Sequence, residues 1–159
     1  MNRASKIIYF FIMLLFFITF DLYFSELILN KLRFNFEPNP IFDLIFVQNT
    51  GAAFSILEDY KSFLIVFSIV AIFIILRYLY RYLDKFSTIA VFWSSILIAG
   101  IGCNLYERIA FGYVRDFFKL NFIDFPVFNI SDMFINVGVL AIIVIIIKNK
   151  YLKNNENKN

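Results

Sequence analysis

Apolar residues in this chain run on without the polar interruptions that a helix or strand facing water requires. A soluble fold hides its apolar side chains in stripes of period 3.6 or 2, so run length is the signal to read here. A bilayer core is about 30 Å thick, and a helix needs roughly 20 mostly apolar residues to cross it. Four stretches meet that requirement: Ile7 to Phe24, Phe63 to Tyr80, Thr88 to Tyr106, and Ile130 to Ile147. The pattern predicts an all-α membrane protein with four transmembrane helices. It forms one membrane domain over residues 1–150, followed by a polar, disordered cytoplasmic tail over 151–159.

Two segments outside these runs break the pattern. From about Ser25 to Ser62 the chain holds Pro38, Pro40 and the alternating stretch IFDLIFVQ ahead of Asn49 and Gly51. That predicts short strands and a small sheet on the outer membrane surface, between the first and second helices. The second segment, from about Glu107 to Asn129, joins the third and fourth helices. Within the third helix, Ser95, Ala99 and Cys103 recur at spacings of four beside Gly100 and Gly102. Small residues let helices approach closely in lipid, so this reads as a packing seam with Cys103 as a small apolar filler.

Charge orients the helices. Arg3, Lys6, Arg77, Arg81, Lys85, Lys148, Lys150, Lys153 and Lys158 all flank one side, nine of the 15 basic residues. Basic residues resist translocation, so that side is expected to be the cytoplasm and to hold both termini. Ten of the 12 acidic residues fall on the other side, including Asp21, Glu58, Asp59, Asp116 and Asp132. The first segment reads as a retained helix, not a cleaved leader: no small-x-small site follows it and Asp21 interrupts its end.

Composition narrows the chemistry. There is one Cys and no His among 159 residues, 61% of them hydrophobic and 23 of them Phe. Zinc sites built on His and Cys, Ser-His-Asp triads and Cys-His pairs are unavailable, which leaves Asp, Glu, Lys and Tyr as acids and bases. Ionisable and polar groups near bilayer depth are costly and mark sites. Asp21, Asn104, Glu107, Arg108, Asp116 and Asp132 lie toward the outer helix ends or in the last connection. Asp116 and Asp132 are isolated acids in apolar settings. Two adjacent carboxylates cannot both ionise, so such a pair can activate water with one member and protonate a leaving amine with the other. A competing reading stays open: Asp132 follows the capping residue Asn129 by three and fits a first-turn, dipole-stabilising acid.

Three strings carry a resemblance. NTGAAFS from Asn49, GCNLYERIAFGYVRDF from Gly102 and FPVFNISD from Phe125 resemble, in that order, three blocks of signal peptidase II, the lipoprotein signal peptidase family. The resemblance implies an aspartyl endopeptidase of the bacterial cytoplasmic (inner) membrane, its active site toward the outer face. Such an enzyme cuts prolipoproteins before the diacylglyceryl-modified cysteine. It also implies Asp116 and Asp132 as catalytic, with Asn49, Gly51, Asn104, Arg108 and Asn129 binding substrate and orienting the acids. Asp21 and Glu107 would support the site. No metal, cofactor or nucleic acid is implied; lipid-modified prolipoproteins and membrane lipids are the partners, and the protein is expected to be a monomer.

The chain departs from the family pattern at named positions. G-N-x-x-D-R reads here as Cys103, Asn104, Leu105, Tyr106, Glu107, Arg108. D-Q-x-S-K reads as Asp21 to Ser25 without the Gln and the Lys, and Ser131 stands where Ala is usual. These departures motivate an alternative, a catalytically silent relative that binds lipoproteins or signal peptides. A small channel or transporter is a third reading, disfavoured by the absence of charged mid-spans and of a repeat.

Overall fold

The computed structural model describes residues 1–37, 39–51 and 60–156, the last six by backbone alone. Pro38, the Ala52–Ser55 part of the first block, Glu58, Asp59 and Lys158 lie outside the described residues. Four long helices are present, each long and apolar enough to cross a membrane: α1 (Arg3–Asn30), α2 (Lys61–Tyr82), α3 (Thr88–Ala110) and α4 (Ile130–Glu156). All four outrun the apolar runs that announced them, except at the starts of α3 and α4. Helical hydrogen bonding does not stop where apolarity does. At about 1.5 Å per residue α1 is about 42 Å long, longer than the hydrocarbon core.

The tail expected to be disordered continues α4 through Glu156. Its Lys, Leu and Glu residues are good helix formers, and neither Gly nor Pro interrupts them. Side-chain caps start two of the other helices. Asn2 Oδ1 accepts from Ser5 N–H at 2.8 Å for α1, and Ser87 Oγ accepts from Ala90 N–H at 3.1 Å for α3.

The helices are arranged around α3. Of its apolar window 61% is buried, against 11% to 17% for the others, and α1, α2 and α4 each pack on it. The small residues explain the close approach. A Cβ placed on Gly100 would sit 2.5 Å from the Ser131 carbonyl and 2.9 Å from Ile135 of α4, and one on Gly138 would sit 2.9 Å from Leu97 Cβ of α3. Gly102, expected in the same seam, faces open space. Replacing Gly100 with Ala is therefore expected to cost on the order of 1–3 kcal/mol by overpacking. The same change at Gly102 should be neutral or stabilising by about 0.5–1 kcal/mol from helix propensity. Thermal unfolding midpoints in detergent check this contrast, and equal midpoints would rule out the α3–α4 seam.

The sheet is built from the α1–α2 and α3–α4 connections. The strand expected in IFDLIFVQ is β1 (Phe42–Asn49). Its antiparallel partner is β2 (Val114–Leu120), from the connection between α3 and α4, where no strand was expected. The register pairs Phe42 with Leu120 and Asn49 with Val114, and one extra residue of β1 is accommodated between Leu44 and Val47. Both faces of β2 are covered around Asp116 and Phe117, so its sequence shows no alternation. Phe117 is fully buried against Ile28, Leu29 and Ile130, which seats the sheet on the C-terminal end of α1 and the N-terminal end of α4. Gly112, at φ +88°, makes the turn from α3 into β2, a conformation that costs a side chain steric strain.

At the opposite end, α1 is tied to the α2–α3 turn. Lys6 Nζ, buried, donates to the carbonyls of Phe86 at 2.6 Å and Leu83 at 3.1 Å, and Arg3 pairs with Asp84. A cation on the last carbonyls of a helix satisfies groups that the helix leaves open and favours its dipole.

Candidate active site

β1, α3, β2 and the start of α4 deliver their polar residues to one place. α4 begins at Ile130, so Asn129 is its cap and Asp132 its third residue. Asn129 Oδ1 accepts from Asp132 N–H at 2.8 Å, and Asp132 Oδ2 accepts from Asn129 N–H at 3.2 Å. This is a reciprocal capping box. The capping role expected for Asp132 is real, and it orients the carboxyl at the same time. The other oxygen, Oδ1, accepts from Asn104 Nδ2 on α3 at 2.8 Å.

Asp116 reaches the same point from β2. Its Oδ1 accepts from Asn129 Nδ2 and its Oδ2 from Asn49 Nδ2 of β1, both at 2.9 Å. Asn129 Nδ2 also donates to Asn104 Oδ1 at 3.1 Å, so this one amide is hydrogen-bonded to Asp116, Asp132 and Asn104 together. Burial, and next to it the Asp132 charge, pushes the Asp116 carboxyl up to about 7. A group that exchanges its proton near neutral pH is suited to acid and base work.

Arg108, on the last turn of α3, donates through Nη2 to the Gly51 carbonyl at 2.7 Å, while Gly51 N–H donates to Asn49 Oδ1 at 3.0 Å. Gly51, two residues after the end of β1, is thereby tied to α3. Arg108 Nε is buried without a hydrogen-bond partner among the described residues. Asn49, Arg108, Asp116 and Asp132 line one open cleft of about 740 Å³, with Val47, Phe128 and Ile135 supplying apolar wall.

Of the residues singled out from sequence, Asn49, Gly51, Asn104, Arg108, Asp116, Asn129 and Asp132 are brought together. Asp21 and Glu107 stand behind them. Asp21, almost fully buried on α1, accepts from Ser131 Oγ at 2.8 Å, and the Cys103 thiol also faces it. Cys103 does sit in the seam, but in polar contact and not as an inert filler. Glu107 is engaged by Arg115. Arg115, Glu26 and the cleft residues Gln48, Lys119 and Asp124 were not anticipated. The only sequence signal for Arg115 is a cation next to Asp116 in an otherwise apolar stretch.

Comparison with known proteins accords with this architecture. The chain is similar to the lipoprotein signal peptidase of Streptococcus thermophilus (strain CNRZ 1066), 40% identical over 108 residues, which cover 68% of this chain and 70% of that one. It is also similar to the lipoprotein signal peptidase of Buchnera aphidicola subsp. Schizaphis graminum (strain Sg), 40% identical over 137 residues, 80% of this chain and 86% of that one. A solved structure described as a bacterial membrane enzyme superposes with a TM-score of 0.77 at 26% identity, covering 92% of this chain and 90% of its own. The family model for signal peptidase (SPase) II matches residues 12–148. Four membrane-crossing helices, the blocks that line the cleft and this near full-length match together establish that the chain belongs to the signal peptidase II family.

Proposed function

We propose that this protein removes signal peptides from diacylglyceryl-modified prolipoproteins, cutting before the lipidated cysteine, with Asp116 and Asp132 as an acid pair. The observation that carries the reading is the juxtaposition of the two carboxyls through Asn129 in an open cleft. In the reaction, the ionised carboxyl takes a proton from water as the water oxygen bonds to the scissile carbonyl carbon. The protonated carboxyl gives its proton to the carbonyl oxygen. As the C–N bond breaks, the first carboxyl returns its proton to the leaving amine, and the hydroxyl proton of the intermediate restores the second.

Asn49, Asn104 and Asn129 orient the acids, and Arg108, with its unpaired Nε, offers a donor to a substrate carbonyl. The Gly51 carbonyl, accepting from Arg108, fixes that guanidinium beside the cleft. The basic residues near the far ends of the helices support cytoplasmic termini and a cleft toward the outer face, where water meets the membrane surface. A diacylated substrate would approach through lipid along the exposed apolar helix faces.

The test uses the purified protein in detergent with a diacylglyceryl-modified prolipoprotein peptide and its unlipidated counterpart. Cleavage of the lipidated peptide alone, before the modified cysteine and unaffected by EDTA, is the expected result. Binding without cleavage would favour a silent relative, and activity lost in EDTA and restored by a divalent ion would overturn the aspartyl mechanism.

A further inference from the structure

The proposed reaction gives no role to the buried Glu107–Arg115 ion pair. The Glu107 side chain is only 5% exposed and is held by Arg115 through three donors: the backbone N–H at 2.7 Å to Oε2, and Nε at 2.8 Å and Nη2 at 2.7 Å to Oε1. The remaining arm of Arg115, Nη1, reaches Glu26 on α1. Each partner is one residue away from a cleft residue. Glu107 precedes Arg108 on α3, and Arg115 precedes Asp116 on β2. Helix and strand geometry fix the directions of adjacent side chains, so clamping 107 to 115 sets where 108 and 116 point. Burying an ion pair costs desolvation that an apolar contact would not. A forked guanidinium–carboxylate pair contributes directional specificity in exchange.

We propose that Arg115 and Glu107 are positioning residues for Asp116, which hold its strand on the end of α3 and set, through their opposite charges, how tightly the acid pair holds its proton. This rests on the reading of Asp116 and Asp132 as the catalytic pair. The charged groups that act on Asp116 are Asp132 from α4 and Glu107 and Arg108 from α3; Arg115, next to it on the strand, turns its guanidinium to Glu107 and to Glu26 of α1. Lys119 and Asp124 line the same cleft, and β1 presents the neutral Asn49. Among these, Glu107 raises the Asp116 carboxyl and Arg108 lowers it. Loss of the Arg115 guanidinium leaves Glu107 unopposed, so the pair keeps its proton to higher pH. Loss of the Glu107 charge removes a repulsion from the acid pair and does the reverse. The sign is the same whichever carboxyl holds the proton, because the pair titrates as a unit.

Two substitutions that break the same clamp therefore displace the pH profile in opposite directions, which a merely structural tie would not do. The experiment measures kcat and KM against pH for the full-length protein in detergent with the lipidated peptide. Arg115→Gln is expected to move the alkaline limb of kcat/KM up by about half a pH unit or more, and Glu107→Gln down by a similar amount. In both, kcat should fall about tenfold with KM within about twofold of normal. Arg115→Lys should return the limb close to its original position while recovering kcat only in part, since an ammonium cannot form the fork. Limbs that move the same way, or not at all, overturn the proposal. If one Gln variant fails to accumulate in the membrane, the direction of the other decides. If neither accumulates, the pair is a folding requirement and the proposal falls. A wild-type protein that cleaves nothing would instead remove the aspartyl reading beneath it.

Discussion

Asp116→Asn and Asp132→Asn are each expected to abolish cleavage while the protein still accumulates in the membrane. Asn keeps the size of the side chain and most of its hydrogen bonds but cannot exchange a proton. If both acids act in one proton circuit, removing either stops it, with losses on the order of 10³-fold or more, about 4 kcal/mol of transition-state stabilisation. The double variant should be no worse than either single one, because residues acting as a unit give strongly non-additive losses. Asp132 makes the comparison sharp, since it also completes the α4 capping box. A first-turn acid contributes roughly 0.3–1 kcal/mol to a helix, so a purely structural Asp132 would lose a little stability and keep nearly all its turnover. A well-folded single variant that retained more than about a tenth of normal activity would remove that residue from the mechanism.

Asn129 separates positioning from capping. Its amide donates to Asp116 and Asn104, and its carbonyl oxygen caps α4. Asn129→Ala removes both roles, so we expect turnover to fall about 10²-fold, roughly 2.7 kcal/mol, and stability to fall by about 1 kcal/mol from the lost cap. Asn129→Asp keeps a good capping oxygen but cannot donate, and it places a third carboxyl beside two. Its thermal midpoint should stay near normal while its activity falls at least as far as that of the Ala variant. Turnover at close to the normal rate in the Asp variant would mean that Asn129 serves α4 alone.

The four spans were legible because bilayer thickness imposes a length that any sequence must honour, whatever its neighbours. The site was legible mainly through its three blocks. Local reading of Asp132 left a first-turn, dipole-stabilising role open beside an acid role, and the structure puts it in the α4 capping box with the residue lining the cleft. What sequence did not disclose depends on pairings made far along the chain. Asn49 meets Asp116 across 67 intervening steps and Ser131 meets Asp21 across 110. β2 was hidden because Asp116 and Phe117, consecutive and both buried, face different surroundings and erase the period of two. Arg115 was hidden because its partners arrive from α1 and α3. Two departures from the family pattern, Cys103 and Ser131, meet at Asp21 and supply it with polar neighbours.

The central place of α3 also bears on how the protein is made. It is the least apolar of the four spans by mean hydropathy, and its last turns carry Asn104, Glu107 and Arg108. A charged residue at a helix centre raises the apparent cost of membrane insertion by roughly 2.5–3.5 kcal/mol, and less toward the ends. The partners that satisfy these groups, Asp132 for Asn104 and Arg115 for Glu107, lie on segments that emerge later from the ribosome. Until β2 and α4 have been made, the polar end of the nascent helix lacks these partners, so completing the cleft also completes the polar matching of α3.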